Sequence, residues 1–95
     1  MLLNYNKGDF ITKASAFMYF VYILRCSNTK LYIGCTQNIT ERINRHKKGL
    51  VVATRYLLPV KLISCLIVAN KCKAYQLEKY LKSGSGRAFI KKHLL

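Results

Sequence analysis

Met18-Tyr-Phe-Val-Tyr-Ile-Leu-Arg-Cys26, Ser27-Asn-Thr-Lys30 and Leu31-Tyr-Ile-Gly-Cys35 follow one another without a break. The first and third segments are dense in aromatic and β-branched residues, and the polar run between them has turn chemistry. The stretch therefore predicts a β-hairpin over 18–35. Gly34, inside the second strand, predicts a close approach of the backbone to another group. Side chains alternate along a strand, and cross-strand partners share a face. Tyr22 and Tyr32 accordingly share a face only if the connecting loop holds an odd number of residues. A three-residue loop, Asn28-Thr29-Lys30, would meet that condition.

Downstream, Asn38 with Glu41 three residues later resembles a capping box. Ile39 and Ile43 lie one turn apart, and Gly49 after Lys47 and Lys48 is a stop signal, so a helix is predicted there. Residues 50–59 read as a connector ending at Pro59, the single proline. Segment 60–68, Val-Lys-Leu-Ile-Ser-Cys-Leu-Ile-Val, reads as a third strand. Asn70 can cap a helix over 71–82 with Ala74, Leu77 and Leu81 on one face. In Ser83-Gly84-Ser85-Gly86, Gly84 ends that helix and Ser85 caps a short basic helix over 86–94. Upstream, residues 1–17 show no clean period and read as a loosely ordered N-terminal extension. The expected fold class is α+β: one domain over 18–95, in the order β-β-α-β-α-α, with a central three-stranded antiparallel sheet flanked by helices.

Composition narrows the function. A chain of 95 residues is one domain's worth, and 52% hydrophobic residues with 12% aromatic exclude a disordered tail. Seventeen Lys and Arg stand against three acids, for a net charge of +14. Such a surface attracts polyanions: nucleic acid, an anionic membrane or an acidic protein. The compact, aromatic-rich composition favours nucleic acid. A membrane-surface protein needs a long helix with one basic and one apolar face, and the strand-rich segments 18–35 and 60–68 argue against it. No apolar stretch is long enough to span a bilayer. Cys26, Cys35, Cys65 and Cys72 contain no C-x-x-C pair, so a zinc site is poorly supported. With no signal-peptide pattern in 1–17, free thiols in the cytoplasm are the expectation. Monomer and weak homodimer are both compatible with the sequence.

Several residues could carry chemistry. Tyr22 and Tyr32 either fill one side of the sheet or present two phenols together. Arg42 has Ile39 and His46 as neighbours at one helical turn, so Arg42 and His46 border the buried face of their helix. Arg42 can hold a phosphate bidentately, or its stem can cover apolar surface while its head reaches water. His46 can equally be a satisfied histidine at the edge of that face. The acids are few: Asp9 lies in the extension, Glu41 has a role in the cap, and Glu78 remains. Glu78 is free to ligate a hard cation such as Mg²⁺, or to pair with Lys82 at i,i+4. The helix start near Arg87 can be a structural cap, an anion site, or both. Arg45, Lys47, Lys48, Arg55, Lys82 and Arg87 are the expected nucleic-acid contacts.

Taken in order, these residues resemble the GIY-YIG endonuclease domain, in its small stand-alone form. The first motif is matched by Val21-Tyr22-Ile23 and the second, in full, by Tyr32-Ile33-Gly34. Thr36, Asn38, Arg42, His46 and Gly49 fall where the family places its helix pattern. Thr54-Arg55 with Pro59-Val-Lys-Leu, and Ala74, Glu78, Leu81, Lys82 with Ser-Gly-Ser-Gly-Arg-Ala-Phe, continue the match across 18–95. Phe20 stands where the first motif has glycine, and no asparagine follows Asn70 where many members carry one; Lys82, Arg87 or His93 could stand in. The resemblance implies a β-β-α-β-α fold and metal-dependent hydrolysis of a phosphodiester with one Mg²⁺ or Mn²⁺. It implies that Glu78 binds the metal and Arg42 holds the scissile phosphate. Tyr22 would activate or position the attacking water, Tyr32 would support it, and His46 would be accessory. Structure-specific or repair-related cleavage is implied only at the level of the family. The alternative is a basic nucleic-acid-binding module without catalysis.

Overall fold

A computed structural model of the chain describes residues 18–95. The expected extension over 1–17 lies outside the described residues. Strand β1 runs Tyr19–Arg25 and β2 runs Leu31–Thr36. Helix α1, Ile39–Lys47, precedes β3, Lys61–Val68. Helices α2, Lys71–Leu81, and α3, Gly84–His93, complete the chain. All strand pairs are antiparallel, and the order β2-β1-β3 makes β1 central.

The unbroken apolar run of β1 has a plain cause. Both of its faces are covered from Phe20 to Leu24, which favours apolar side chains on both; the strand ends at the exposed Arg25. Val21, Ile23 and Ile33 pack with Ala74, Leu81 and Ile90, against α2 and α3. Tyr22 and Leu24 pack with Cys26, Val60, Ile39 and Ile43, beneath α1 and the connector. The sheet is therefore the middle layer, with α1 on one side and α2 and α3 on the other.

The hairpin settles the parity question. Arg25 pairs with Leu31, so the loop is residues 26–30, not the expected 28–30. Thr29 in the left-handed region (φ 69°) closes it, and Asn28 Oδ1 accepts from the Lys30 N–H at 3.1 Å. Five residues is still an odd number. Tyr32 faces Leu24 and Tyr22 faces Gly34, which puts both tyrosines on the α1 side.

Asn38 caps α1, its side chain accepting from the Glu41 N–H at 3.1 Å. The Asn38 N–H itself donates to Thr36 Oγ1 at 3.1 Å. The Glu41 carboxylate instead approaches Arg45 at 4.0 Å. At the other end Gly49 adopts φ 76°, its N–H donates to His46 O, and the Leu50 N–H donates to Arg45 O. This paired C-terminal closure needs a left-handed residue, which is why the stop signal is glycine. The last helix begins earlier than expected. Ser83, not Ser85, is its cap and accepts from the Gly86 N–H at 3.1 Å, while Gly84 is already helical.

Candidate functional site

Tyr22 lies flat against β2 opposite Gly34. A Cβ on Gly34 would fall 2.5 Å from both Cζ and Oη of Tyr22, so glycine is required for that ring to fit. This is the close approach that Gly34 predicted. The Tyr22 hydroxyl meets His46 Nε2 at 2.9 Å, and His46 Nδ1 meets Thr54 Oγ1 at 2.7 Å. All three residues are fully buried. The Tyr32 ring closes the cluster, its centroid 5.0 Å from that of His46 and 6.2 Å from that of Tyr22. A neutral imidazole has one N–H donor and one acceptor, so one of the two flanking hydroxyls donates to it and the other accepts.

Burial sets the protonation states here. It pushes the Tyr22 phenol up to about 12, against the smaller opposing pull of the Arg42 guanidinium. Burial also pushes His46 down from its ordinary value, and the positive charges of Arg42 and Arg45 act in the same direction. At neutral pH the cluster is a neutral phenol hydrogen-bonded to a neutral imidazole. His46 is thus the centre of the cluster and not, as its position on the helix suggested, an edge residue.

Arg42 and Tyr32 are half-buried, and they open this cluster to solvent. Arg42 also lines a groove of about 340 Å³ at the end of β2, an edge strand among the described residues, with Tyr19, Cys35, Thr36, Lys71 and Tyr75. Lys71, Tyr75 and Glu78 follow at i, i+4 and i+7, a single stripe on α2. The stripe stands on the opposite face of the sheet from Tyr22, so Glu78 does not join the tyrosine cluster directly. The two halves communicate around the β2 edge. Cys35 feels both: burial raises its thiol pKa, Glu78 raises it further and Arg42 lowers it.

Glu78 is partly buried, with its side chain 21% exposed, and pairs with Lys82 at 3.1 Å. Among the described residues no group of three His, Cys, Asp or Glu could hold a metal. A closed zinc-type cage therefore does not fit. One half-buried carboxylate beside an open groove does fit a hard cation that keeps most of its waters and takes further oxygens from phosphate.

The expected nucleic-acid contacts divide. Arg45, Lys47, Lys48, Arg55 and Arg87 are exposed. Arg45 sits on the α1 wall with Arg42, where the two line a second groove with Glu41 and Val51. Arg55 lies over the Tyr56 ring at 5.7 Å. Lys82 is engaged with Glu78. Three participants had no assigned role in the sequence: Thr54, from an irregular connector, and Lys71 and Tyr75, which lie off the apolar face formed by Ala74, Leu77 and Leu81.

Comparison with known proteins agrees with this arrangement. The family model described as the GIY-YIG catalytic domain matches residues 18–92. A UPF0213 protein of Clostridium perfringens is 41% identical over 66 residues, covering 68% of this chain and 71% of that protein. A UPF0213 protein of Streptococcus agalactiae is 35% identical over 78 residues, covering 78% of this chain and 89% of its own. The solution NMR structure of a UPF0213 protein from Bacillus halodurans superposes with a TM-score of 0.53 at 27% identity, over 79% of this chain and 83% of that one. With the order of strands and helices, the tyrosine pair and the helical arginine all in place, the chain belongs to the GIY-YIG family of nuclease domains.

Proposed function

We propose that this protein is an endonuclease that hydrolyses phosphodiester bonds in nucleic acid, DNA first among the candidates, with a single Mg²⁺ or Mn²⁺ held at Glu78. One observation carries the reading. Arg42, half-buried on α1 one turn from His46, lines one groove with Cys35, Lys71 and Tyr75, and Tyr75 is one turn from Glu78 on α2. A phosphate held at Arg42 in that groove would have the tyrosine–histidine cluster on one side and the helix that carries Glu78 on the other.

Phosphodiester hydrolysis needs an in-line nucleophile, a deprotonation and neutralised charge at phosphorus. Arg42 binds the non-bridging oxygens and holds their developing charge. The buried Tyr22 hydroxyl is out of reach of solvent, so the half-buried Tyr32 hydroxyl is the phenol that orients the attacking water. Tyr22 stands behind it as a positioning residue. A phenol with a pKa pushed up to about 12 is no standing base at neutral pH. Its hydroxyl donates to His46 Nε2, and this neutral imidazole, whose pKa burial lowers, holds the phenol in place and does not take its proton. That direction places the imidazole N–H on Nδ1, donating to Thr54 Oγ1. A divalent ion, when bound, supplies Lewis acidity at the phosphate and eases deprotonation of water. Glu78 would hold it, and Lys82 would exchange Glu78 for a phosphate oxygen.

The test is single-turnover cleavage of labelled branched, single-stranded and duplex DNA with Mg²⁺ or Mn²⁺, with and without chelator. Glu78→Ala should lose metal-dependent cleavage and keep its binding isotherm. Cleavage at the wild-type rate by that variant would sink the reading. The second reading, a binding module without chemistry, draws on the Glu78–Lys82 ion pair at 3.1 Å, which leaves Glu78 a purely structural role. In that case no substrate is cleaved by the wild-type chain.

A further inference from the structure

The groove at the end of β2 carries more than a phosphate site needs. Tyr75 is 50% exposed, and its ring meets that of Tyr19 at 6.5 Å between centroids and 57° between planes. Lys71 Nζ stands 5.9 Å from the centre of the Tyr75 ring. Tyr19, Tyr75, Lys71 and Arg42 all line the same groove. Exposed aromatic rings are common on this protein, as Tyr56, Tyr80 and Phe89 show. Tyr75 differs because its ring shares a groove with Arg42 and has the Lys71 ammonium beside it.

An exposed aromatic face beside a cation-lined groove is the physical requirement for holding an unpaired nucleobase. Every base has a π-face, so stacking is tolerant of sequence, while the flanking cations track the backbone. A paired base cannot use such a platform, because its faces are already covered by its neighbours in the duplex. We propose that the Tyr19–Tyr75 platform with Lys71 is a subsite for one unpaired nucleotide adjoining the phosphate at Arg42. The base stacks on Tyr75 and the next phosphate along the strand lies against Lys71. This inference deepens the nuclease reading by giving it a substrate class: single strands, or the unpaired arm of a branched substrate.

The experiment measures binding in EDTA, with no turnover, so it stands or falls apart from catalysis. Fluorescently labelled oligothymidylate, oligouridylate and a blunt duplex of equal length are titrated against the wild-type chain, Tyr75→Ala and Tyr56→Ala. Removal of a stacking aromatic weakens binding by roughly ten- to a hundredfold per base. Tyr75→Ala should show a loss of that size on a single strand and leave duplex binding unchanged, while Tyr56→Ala should leave both nearly unchanged. A DNA strand losing more than an RNA strand, or the reverse, identifies the preferred sugar within the same proposal. Equal loss on single strand and duplex, no loss on either single strand, or the same loss in Tyr56→Ala overturns it. Tyr75→Trp provides an independent readout, because the chain has no tryptophan. Its fluorescence should be quenched by a single strand and not by duplex; an unresponsive signal at saturating strand counts against the platform. Failure of the nuclease reading would show separately, as absence of cleavage in Mg²⁺ or Mn²⁺ with this selective binding intact.

Discussion

Thr54→Val isolates the buried hydrogen-bond chain that underlies the site. The substitution keeps the side chain's shape and removes the hydroxyl that meets His46 Nδ1 at 2.7 Å. Thr54 and His46 are both fully buried, so no water can replace the lost partner without opening the packing beneath α1. A buried polar group left unsatisfied costs about 1–3 kcal/mol. In a domain of this size each kcal/mol moves the melting temperature by roughly 4–8 °C. Thr54→Val should therefore melt roughly 5–20 °C lower, followed by circular dichroism at pH 7.5. A cycle with His46→Phe sharpens the test, because the phenylalanine has no ring nitrogen to strand. Adding Thr54→Val to His46→Phe should cost much less than adding it to the wild type, with a coupling on the order of 1 kcal/mol or more. Additive losses, or a Thr54→Val melt equal to wild type, would refute the idea that Thr54 holds the imidazole.

Gly34→Ala should destabilise the fold by about 1–3 kcal/mol through overpacking, because the new methyl lands on Tyr22; a melt within error of wild type would show that the ring can move aside. His46 has its pKa lowered by folding, so its contribution to stability is complete above its ordinary value of 6.5 and is lost as pH falls below that. Urea melts from pH 8 to 5 should show a decline that His46→Phe lessens. Tyr22 has its pKa raised, so the stability it supports is intact below pH 10 and lost as pH rises toward about 12, and Tyr22→Phe should flatten that alkaline limb. Arg42→Ala should lower single-turnover cleavage at saturating enzyme far more than binding, whereas Lys91→Ala should only reduce the salt slope of binding slightly. Loss of binding alone in both variants would reduce Arg42 to part of the electrostatic surface.

Local chemistry made much of this fold readable. The hairpin follows from β-branched and aromatic residues around turn formers, and Asn38, Gly49 and Asn70 mark helix ends because each satisfies specific backbone groups. Parity made a shared face for Tyr22 and Tyr32 depend on an odd number of loop residues, and the five-residue loop meets that condition. What could not be read is which helix covers which face. From Tyr19 to Leu24 strand β1 has no charged residue and no polar alternation to distinguish its sides. For that reason the sequence could not reveal that Glu78 and the tyrosines lie on opposite faces. Nor could it show that His46 is central: one of its partners, Thr54, comes from a connector without period. Ser83 and Ser85 are equally competent caps, and only the packing of α3 against α2 chooses between them.

Among the described residues β2 is an edge strand of the sheet, and this has a consequence for assembly. Arg42 and Glu78 stand on helices that cover opposite faces of the sheet, and the groove at the end of β2 lies between those two helices. Backbone N–H and C=O groups along an edge strand are an open template for another chain to pair with. If a second strand were to add along Leu31–Thr36, it would stand against the groove proposed for nucleic acid. Growth of the sheet and access to the groove are thus mutually exclusive on that side. The opposite margin, β3, is under no such constraint, and it exposes Leu62 and Ile67. A dimer joined through β3 would keep both grooves open, whereas one joined through β2 would silence both.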